Sequence, residues 1–369
     1  MEQLDLTFGD LTVLVGPQGA GKSLALQWLK VAMDGRQLVD ALRDAGHPVD
    51  RPEVLIDLIF GNGMAPAWRD GETEVMLDRR VITPRSMGRA GDGSETLFFV
   101  PAHRSMLISD GWASPFQKLS SDTPAVARLF SQNLFDQFSG KDAGTLFPVE
   151  KRLKKEIRNK IDAAVFHGGK VGIEEDRQHA RRLRLTHGEM HLPFMTWTAG
   201  QREFTPLLLG LYHLLPSTQE RKRSGTHWVV IEEPEMGLHP QAVTAVMLLV
   251  LDLMWRGYRV VLSTHSPHVL TMLWMMRQLK ERRASWKRVC EAFDVQNQAQ
   301  MKTLAEAALS KDYRAHVLEF NRSGKVTSTD ISRLDPGSDD EQVAGWGGLT
   351  YYSSRFGDVV REAVNEAMS

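Results

Sequence analysis

An α/β fold around a mainly parallel, covered sheet is predicted by two observations. Short apolar runs bounded by turn residues alternate with longer segments of helical period. A glycine-rich loop joins the first apolar run pair to the first helical segment. In chain order, Gln3–Phe8 and Leu11–Val15 read as strands split by the turn Gly9-Asp10. A helix follows from Lys22 to about Asp34 and is expected to stop before Gly35. Leu24, Leu26, Trp28, Leu29 and Val31 make it apolar on most sides, as suits a helix packed on a sheet. Residues 35–96 are mixed and rich in turns. Leu97–Val100 reads as a buried strand. A helical stretch is expected from Thr123 to Phe166, then possible strands at Lys170–Glu174 and Leu183–Thr186. A second core follows: helix Glu203–Leu215, strand Trp228–Ile231, helix Pro240–Arg256 and strand Arg259–Ser263. The tail reads as a hairpin, Ala315–Phe320 with Lys325–Ile331, and a terminal helix, Ser353–Met368. The expected division is therefore a first core half (1–110), a mainly helical insertion (111–190), a second core half (191–275) and a mixed α/β tail (276–369).

The 369 residues suffice for one large α/β domain with an insertion. Hydrophobic residues make up 42% and charged residues 25%, which places the chain among folded globular proteins. The net charge of -1 confines any nucleic-acid contact to local patches. A single cysteine, Cys290, excludes an intramolecular disulfide and a cysteine metal cage, and reads as a small buried apolar residue. No uninterrupted apolar run reaches about 18 residues, so no membrane span or membrane partner is expected. The first ten residues carry Glu2 and Asp5 and no basic region, so no signal peptide is expected and the cytoplasm follows by elimination.

Four motifs carry the chemistry. Gly16-Pro17-Gln18-Gly19-Ala20-Gly21-Lys22-Ser23 satisfies the phosphate-loop pattern G-x-x-x-x-G-K-[ST], with an apolar strand before it and a helix after it. Its glycines let backbone N–H groups turn toward phosphate oxygens at a helix N-terminus. Lys22 would neutralise the β- and γ-phosphates of ATP, and Ser23 would ligate Mg²⁺. The second motif ends the apolar strand Val229–Ile231 in Glu232-Glu233-Pro234-Glu235. Glu232 would hold the Mg²⁺ through water, and Glu233 would polarise the attacking water. The third, Thr198-Ala199-Gly200-Gln201, opens a helix about thirty residues before the acidic strand. It can present donors to a γ-phosphate, and it also reads as a simple capping box, with Thr198 the cap and Gln201 the third position. The fourth, Ser263-Thr264-His265-Ser266-Pro267, puts His265 just past a strand on the same sheet edge as the carboxylates.

Together these residues resemble the ABC ATPase superfamily, in its soluble SMC-, RecF- and OLD-like branch. Glu232-Glu233-Pro234-Glu235 with Leu238-His239-Pro240 resembles a form common in OLD-type ATPases, Thr198–Gln201 resembles their signature, and Pro101-Ala102-His103-Arg104-Ser105 resembles a segment these proteins carry. The resemblance covers roughly 1–110 and 190–270. It implies an ABC-type ATPase head, with a mostly parallel sheet, antiparallel N-terminal strands and a helical insertion. It also implies ATP sandwiched in a homodimer or higher oligomer. Gly16, Gln18, Gly19, Ala20, Gly21, Lys22, Ser23, Glu232, Glu233 and His265 would then come from one chain, and Thr198 and Gly200 from the other. Glu232 stands where the family more often has Asp. Gln117 is the candidate for the Q-loop glutamine.

The implied role is an ATPase that regulates a separate effector, a nuclease or toxin, in bacterial anti-phage defence. The motive is an OLD-like core without a Toprim nuclease signature. The alternative is a RecF- or SMC-like repair ATPase that clamps DNA. Its motive is the basic clusters Lys151–Lys160, Arg177–Arg184, Arg221–Arg223 and Arg277–Arg288, each of which taken separately reads sooner as a solvated helix face. His187-Gly188-Glu189-Met190-His191 lacks the spacing of a zinc motif, and the acidic stretch Asp335–Glu341 reads as a solvated loop.

Overall fold

A computed structural model describes residues 3–109, 111–139, 144–175, 181–216 and 221–368. The central sheet has six strands: β1 (Leu11–Val15), β4 (Leu97–Val100), β11 (Trp228–Glu232), β12 (Arg259–Ser263), β13 (Tyr313–Phe320) and β14 (Val326–Asp330). Between them lie two short hairpins, β2/β3 (Val75–Leu77, Arg80–Ile82) and β5/β6 (Ile108–Ser109, Trp112–Ala113). A separate sheet is formed by β7 (Gly144–Phe147), β8 (Lys170–Glu175), β9 (Arg181–His187) and β10 (Met190–Pro193). The central order is β14-β13-β1-β12-β11-β4. All neighbours run parallel except β13/β14.

Both faces of this sheet are covered, which is why its strands read as continuous apolar runs. Leu14, Val230, Val261, Leu97 and Phe99 pack with Leu26 and Leu29 of α1 (Lys22–Asp44). Val13, Val15, Val229, Ile231 and Leu262 point the other way. They meet a layer that includes α5 (Ala199–Leu211), α6 (Pro240–Arg256), α7 (Pro267–Glu281) and α9 (Ala299–Ser310). The other α-helices are α2 (Pro52–Phe60), α3 (Ala125–Ser139), α4 (Lys155–Ile161), α8 (Trp286–Ala292), α10 (Glu341–Ala344) and α11 (Tyr351–Met368). Cys290 of α8 is buried in this layer. Among the described residues no helix is long and apolar enough to cross a membrane.

The structure departs from the sequence reading at four places. Gln3–Phe8 makes only one bridge, Gln3 to Thr327, and β1 is parallel to both its neighbours; the antiparallel pairing lies in the tail hairpin β13/β14 instead. The first helix does not stop before Gly35. It kinks at Asp34 (φ -127°, ψ 26°) and continues to Asp44. The kink has a cause: Asp34 accepts N–H bonds from Thr96 (3.1 Å) and Leu97 (2.8 Å), tying the helix to β4. Gly35 lies so close to Met87 that a Cβ would stand 2.2 Å from its carbonyl oxygen. The expected helix 123–166 is interrupted by β7, and the insertion carries the four-stranded antiparallel sheet as well as helices. The second-core helix begins at Ala199, behind its Thr198 cap, rather than at Glu203.

Candidate nucleotide site

The phosphate loop connects the C-terminal end of β1 to the N-terminus of α1. Gly16, Gly19 and Gly21 all have positive φ, at 139°, 77° and 80°. At Gly16 there is also no room for a side chain, because a Cβ would sit 2.0 Å from the Leu318 carbonyl oxygen of β13. Gln18 and Gly19 are exposed, and Ala20 is buried under the loop. Lys22 is buried. Its ammonium donates to the Gly16 carbonyl at 2.8 Å and the Pro17 carbonyl at 3.0 Å. Burial lowers the Lys22 pKa from its ordinary value, and the charges of Glu233 and Glu235 oppose that shift.

Parallel pairing aligns Glu232 with Ser263 and Leu14 with Ser263, so three strand ends converge on one edge. Glu232 is buried there and accepts the Ala102 N–H at 3.1 Å through Oε2; its Oε1 is buried without a hydrogen bond. Burial pushes the Glu232 carboxyl above its ordinary range, and the nearby Ser23 hydroxyl and the Ala102 N–H pull it partly back. A buried carboxylate oxygen without a partner, beside a serine hydroxyl, is a hard-oxygen donor set that fits Mg²⁺. Glu233 has a left-handed backbone (φ 41°), and its N–H donates to the Ser263 carbonyl at 2.9 Å. Its carboxylate lies 3.8 Å from the His265 imidazole. Glu235 accepts from the Thr264 hydroxyl and the His265 N–H, both at 2.7 Å, and so anchors the histidine loop to the acidic turn.

These groups open on a cleft of about 350 Å³ lined by Gln18, Gly19, Gly21, Lys22, Ser23, Glu233 and His265. The remaining wall is mostly apolar. Leu24, Phe60 and Met64 line it with Gln27, and Phe60 is braced by Trp28 at 4.7 Å. Sequence reading missed this wall because residues 35–96 show no period that would place Phe60 beside the phosphate loop. It noted Arg104 only within a resembling segment and gave it no role; its fully buried guanidinium donates to the carbonyls of Glu232 (3.0 Å) and Glu233 (3.3 Å).

Thr198 and Gly200 are not part of that cleft. Thr198 caps α5: its hydroxyl accepts the Gln201 N–H at 3.2 Å, and the Gln201 side chain accepts the Thr198 N–H at 3.2 Å. The capping-box reading is therefore satisfied in full, and Thr198 remains exposed. Gln117 is exposed on the turn Phe116–Lys118 and does not line the cleft. His239 caps α6 with Pro240 at its first position, which explains Leu238-His239-Pro240 by helix geometry.

A protein family described as "AAA domain, putative AbiEii toxin, Type IV TA system" matches residues 130–271, the segment that holds Thr198, Glu232, Glu233 and His265. Over 148 residues, 39% of this chain, the sequence is 28% identical to the "Old nuclease" of Escherichia phage P2. Over these segments the chain is similar to ATPase domains of the kind its motifs resemble. The stretch shared with the Old nuclease spans 23% of that protein's length. Two solved structures are similar to the chain at low scores. One is an SMC head domain from Thermotoga maritima (TM-score 0.36, 13% identity, 88% of this chain and 92% of that one). The other is an SMC head bound to the C-terminal winged-helix domain of ScpA (TM-score 0.37, 12% identity, 88% and 91%).

Many residues of the basic clusters are engaged within the chain. Lys154 pairs with Asp252 and lies over the Trp255 ring, and Lys160 pairs with Asp294 at 2.9 Å. Arg221 donates to the Trp255 carbonyl. Arg277 and Arg288 pair with Glu281 (3.6 Å) and Glu291 (2.6 Å). Residues 176–180 of the Arg177–Arg184 cluster lie outside the described residues.

Proposed function

We propose that the chain hydrolyses ATP in the cleft between the phosphate loop and the acidic turn. The observation that supports this best is the convergence of Lys22, Ser23, Glu233 and His265 on one cleft from three separate loops. The backbone N–H groups of the phosphate loop and the Lys22 ammonium would hold the phosphates, and Phe60, Met64 and Leu24 would hold the base. Water attacks the γ-phosphorus in line. A bond forms from water oxygen to phosphorus, the bond to the β–γ bridging oxygen breaks, and ADP leaves. Glu233 orients that water and takes its proton, and His265 contacts the γ-phosphate. Ser23 and Glu232 would hold Mg²⁺, which when bound supplies positive charge at the phosphates.

Thr198 and Gly200 lie outside their own chain's cleft, so their use at the γ-phosphate requires a second copy. A two-fold dimer would place each α5 N-terminus over the partner's ATP, where its unpaired N–H groups and positive dipole end stabilise anionic charge. The work done with this ATP is the regulation of a separate effector in anti-phage defence, in the cytoplasm. Support comes from the likeness to the Old nuclease and to a toxin-described family, and from basic clusters already paired within the chain.

Glu233→Gln is expected to lower turnover by about 10²–10⁴ and, with ATP, to trap the dimer. Purification of that variant from its own host, with intact-mass measurement, tests both parts. A second protein in fixed stoichiometry supports the effector reading. Dimer with bound nucleic acid alone would favour a DNA-clamping ATPase instead, and undiminished hydrolysis would remove Glu233 from the mechanism.

A further inference from the structure

We infer that Arg104 is a positioning residue that couples the ATP cleft of its own chain to the signature helix the chain offers to its partner. This rests on the dimer reading above. Arg104 is fully buried, and its hydrogen bonds go to main-chain carbonyls of three segments. Nε donates to Glu203 in the first turns of α5 (3.0 Å), and Nη1 donates to Pro101 (3.2 Å) and Glu232 (3.0 Å). Nη2 donates to Glu233 (3.3 Å), the residue held at φ 41°. One planar guanidinium thus sets the distance between the signature helix and the backbone of the proposed base, a task for which a fixed fork of donors is suited and a lysine is not.

Two further contacts make the link directional. The neighbouring Ser105 hydroxyl hydrogen-bonds the Glu203 carboxylate, whose other oxygen is buried without a partner. At the start of α5, Gly200 lies against Gly237, just past the acidic turn, so closely that a Cβ would stand 2.9 Å from the Gly237 carbonyl oxygen. A shift of α5 on meeting the partner's γ-phosphate therefore cannot occur without moving the carbonyls of Glu232 and Glu233. Occupancy of one site is felt at the other through the body of the chain, and Arg104 is the rigid element of that link. None of these contacts involves the phosphate loop, so nucleotide capture and coupling are separable.

Steady-state hydrolysis against ATP concentration, measured on the full chain, tests this with Arg104→Lys. Ser105→Ala serves as the milder change, and Glu233→Gln is run alongside. The expected result for Arg104→Lys is nucleotide affinity within about two-fold of the parent, kcat lower by about ten- to a hundred-fold, and loss of cooperativity in ATP. Ser105→Ala should move kcat and cooperativity in the same direction by less. Unchanged kcat and cooperativity in a folded Arg104→Lys overturns the inference. So does a loss of affinity and kcat in proportion to a lowered melting temperature, which is what a merely structural arginine would give. If Arg104→Lys does not fold, Ser105→Ala decides: an unchanged hydrolysis curve overturns the coupling, and a kcat loss at parent affinity supports it. A fully active Glu233→Gln would instead defeat the underlying mechanism, whatever Arg104 does.

Discussion

At the residue scale, the site is made of conformations that most side chains resist. Gly16 combines a φ of 139° with a backbone carbonyl 2.0 Å from where a Cβ would be. Gly16→Ala must therefore either strain the loop by about 1–3 kcal/mol or push β13 away from it. The expected outcome is a lower melting temperature together with weakened nucleotide binding, read by thermal unfolding with and without ATP. Parent-like stability and binding in that variant would mean the loop is not held against Leu318 as described. Glu233 is the opposite case, a bulky residue in the left-handed region without glycine's freedom. Its N–H bond to Ser263 and its carbonyl bond from Arg104 hold it there, which aims its carboxylate into the cleft beside His265. The types and spacing of both residues were readable in the chain. Their dihedral angles depend on Ser263, Leu318 and Arg104, which are distant in sequence.

At the element scale, α1 shows how a local signal is overridden. Gly35 is a poor helix interior residue, and a stop before it is the natural reading. Asp34 instead bends the helix without ending it. Its carboxylate takes the Thr96 and Leu97 N–H groups and the ammonium of Lys30 at 2.8 Å. Both side chains of this pair are almost wholly buried, at 1% and 0% exposure. Removing Asp34 leaves the buried Lys30 with only the more distant Glu95 carboxylate, at 3.6 Å, as counter-charge. Asp34→Ala is expected to destabilise the fold by about 3–5 kcal/mol, and Asp34→Asn by less, because it keeps an acceptor. Urea unfolding of the two variants checks this. Equal and small losses in both would show that the Lys30 charge is satisfied by Glu95 at 3.6 Å, Gln37 and the Leu97 carbonyl. The element ends at the site follow the same logic. α5 and α6 begin where a capping box and a His-Pro cap begin them, so the signature and the Leu238-His239-Pro240 motif each have a helix-starting role besides any chemical one.

At the scale of the whole molecule, residues near opposite ends of the chain share one sheet. β1 lies between β12 and β13, and Asp10 at its entry accepts the Asp312 N–H at 2.9 Å and the Lys311 ammonium at 3.1 Å. Partial burial alone would raise the Asp10 pKa. The Asp312 bond and the charges of Lys311 and Arg259 outweigh it and hold the carboxyl below its ordinary 3.8. A carboxylate whose folded pKa is depressed adds stability that is complete above the ordinary value and is lost as pH falls through the folded one. The stability gap between the parent and Asp10→Asn should therefore be widest at neutral pH and shrink as the solution is acidified below 3.8. Thermal unfolding of both across that range measures it. A gap that stays constant with pH would show that Asp10 acts by shape and not by charge.

Chain chemistry by itself determined the phosphate loop, the carboxylate pair, the histidine after the fourth core strand and the α/β class. Each is written in a short stretch where residue type and spacing dictate backbone or ligand geometry. Only the tertiary structure decided which strand ends meet, that Thr198 and Gly200 do not line their own chain's cleft, and that Phe60 does. It alone placed a fully buried Arg104 between the signature helix and the acids. The physical reason is that these are contacts between segments some thirty residues apart or more, set by sheet order and by packing against both sheet faces. Neither leaves a period or a motif in the local sequence.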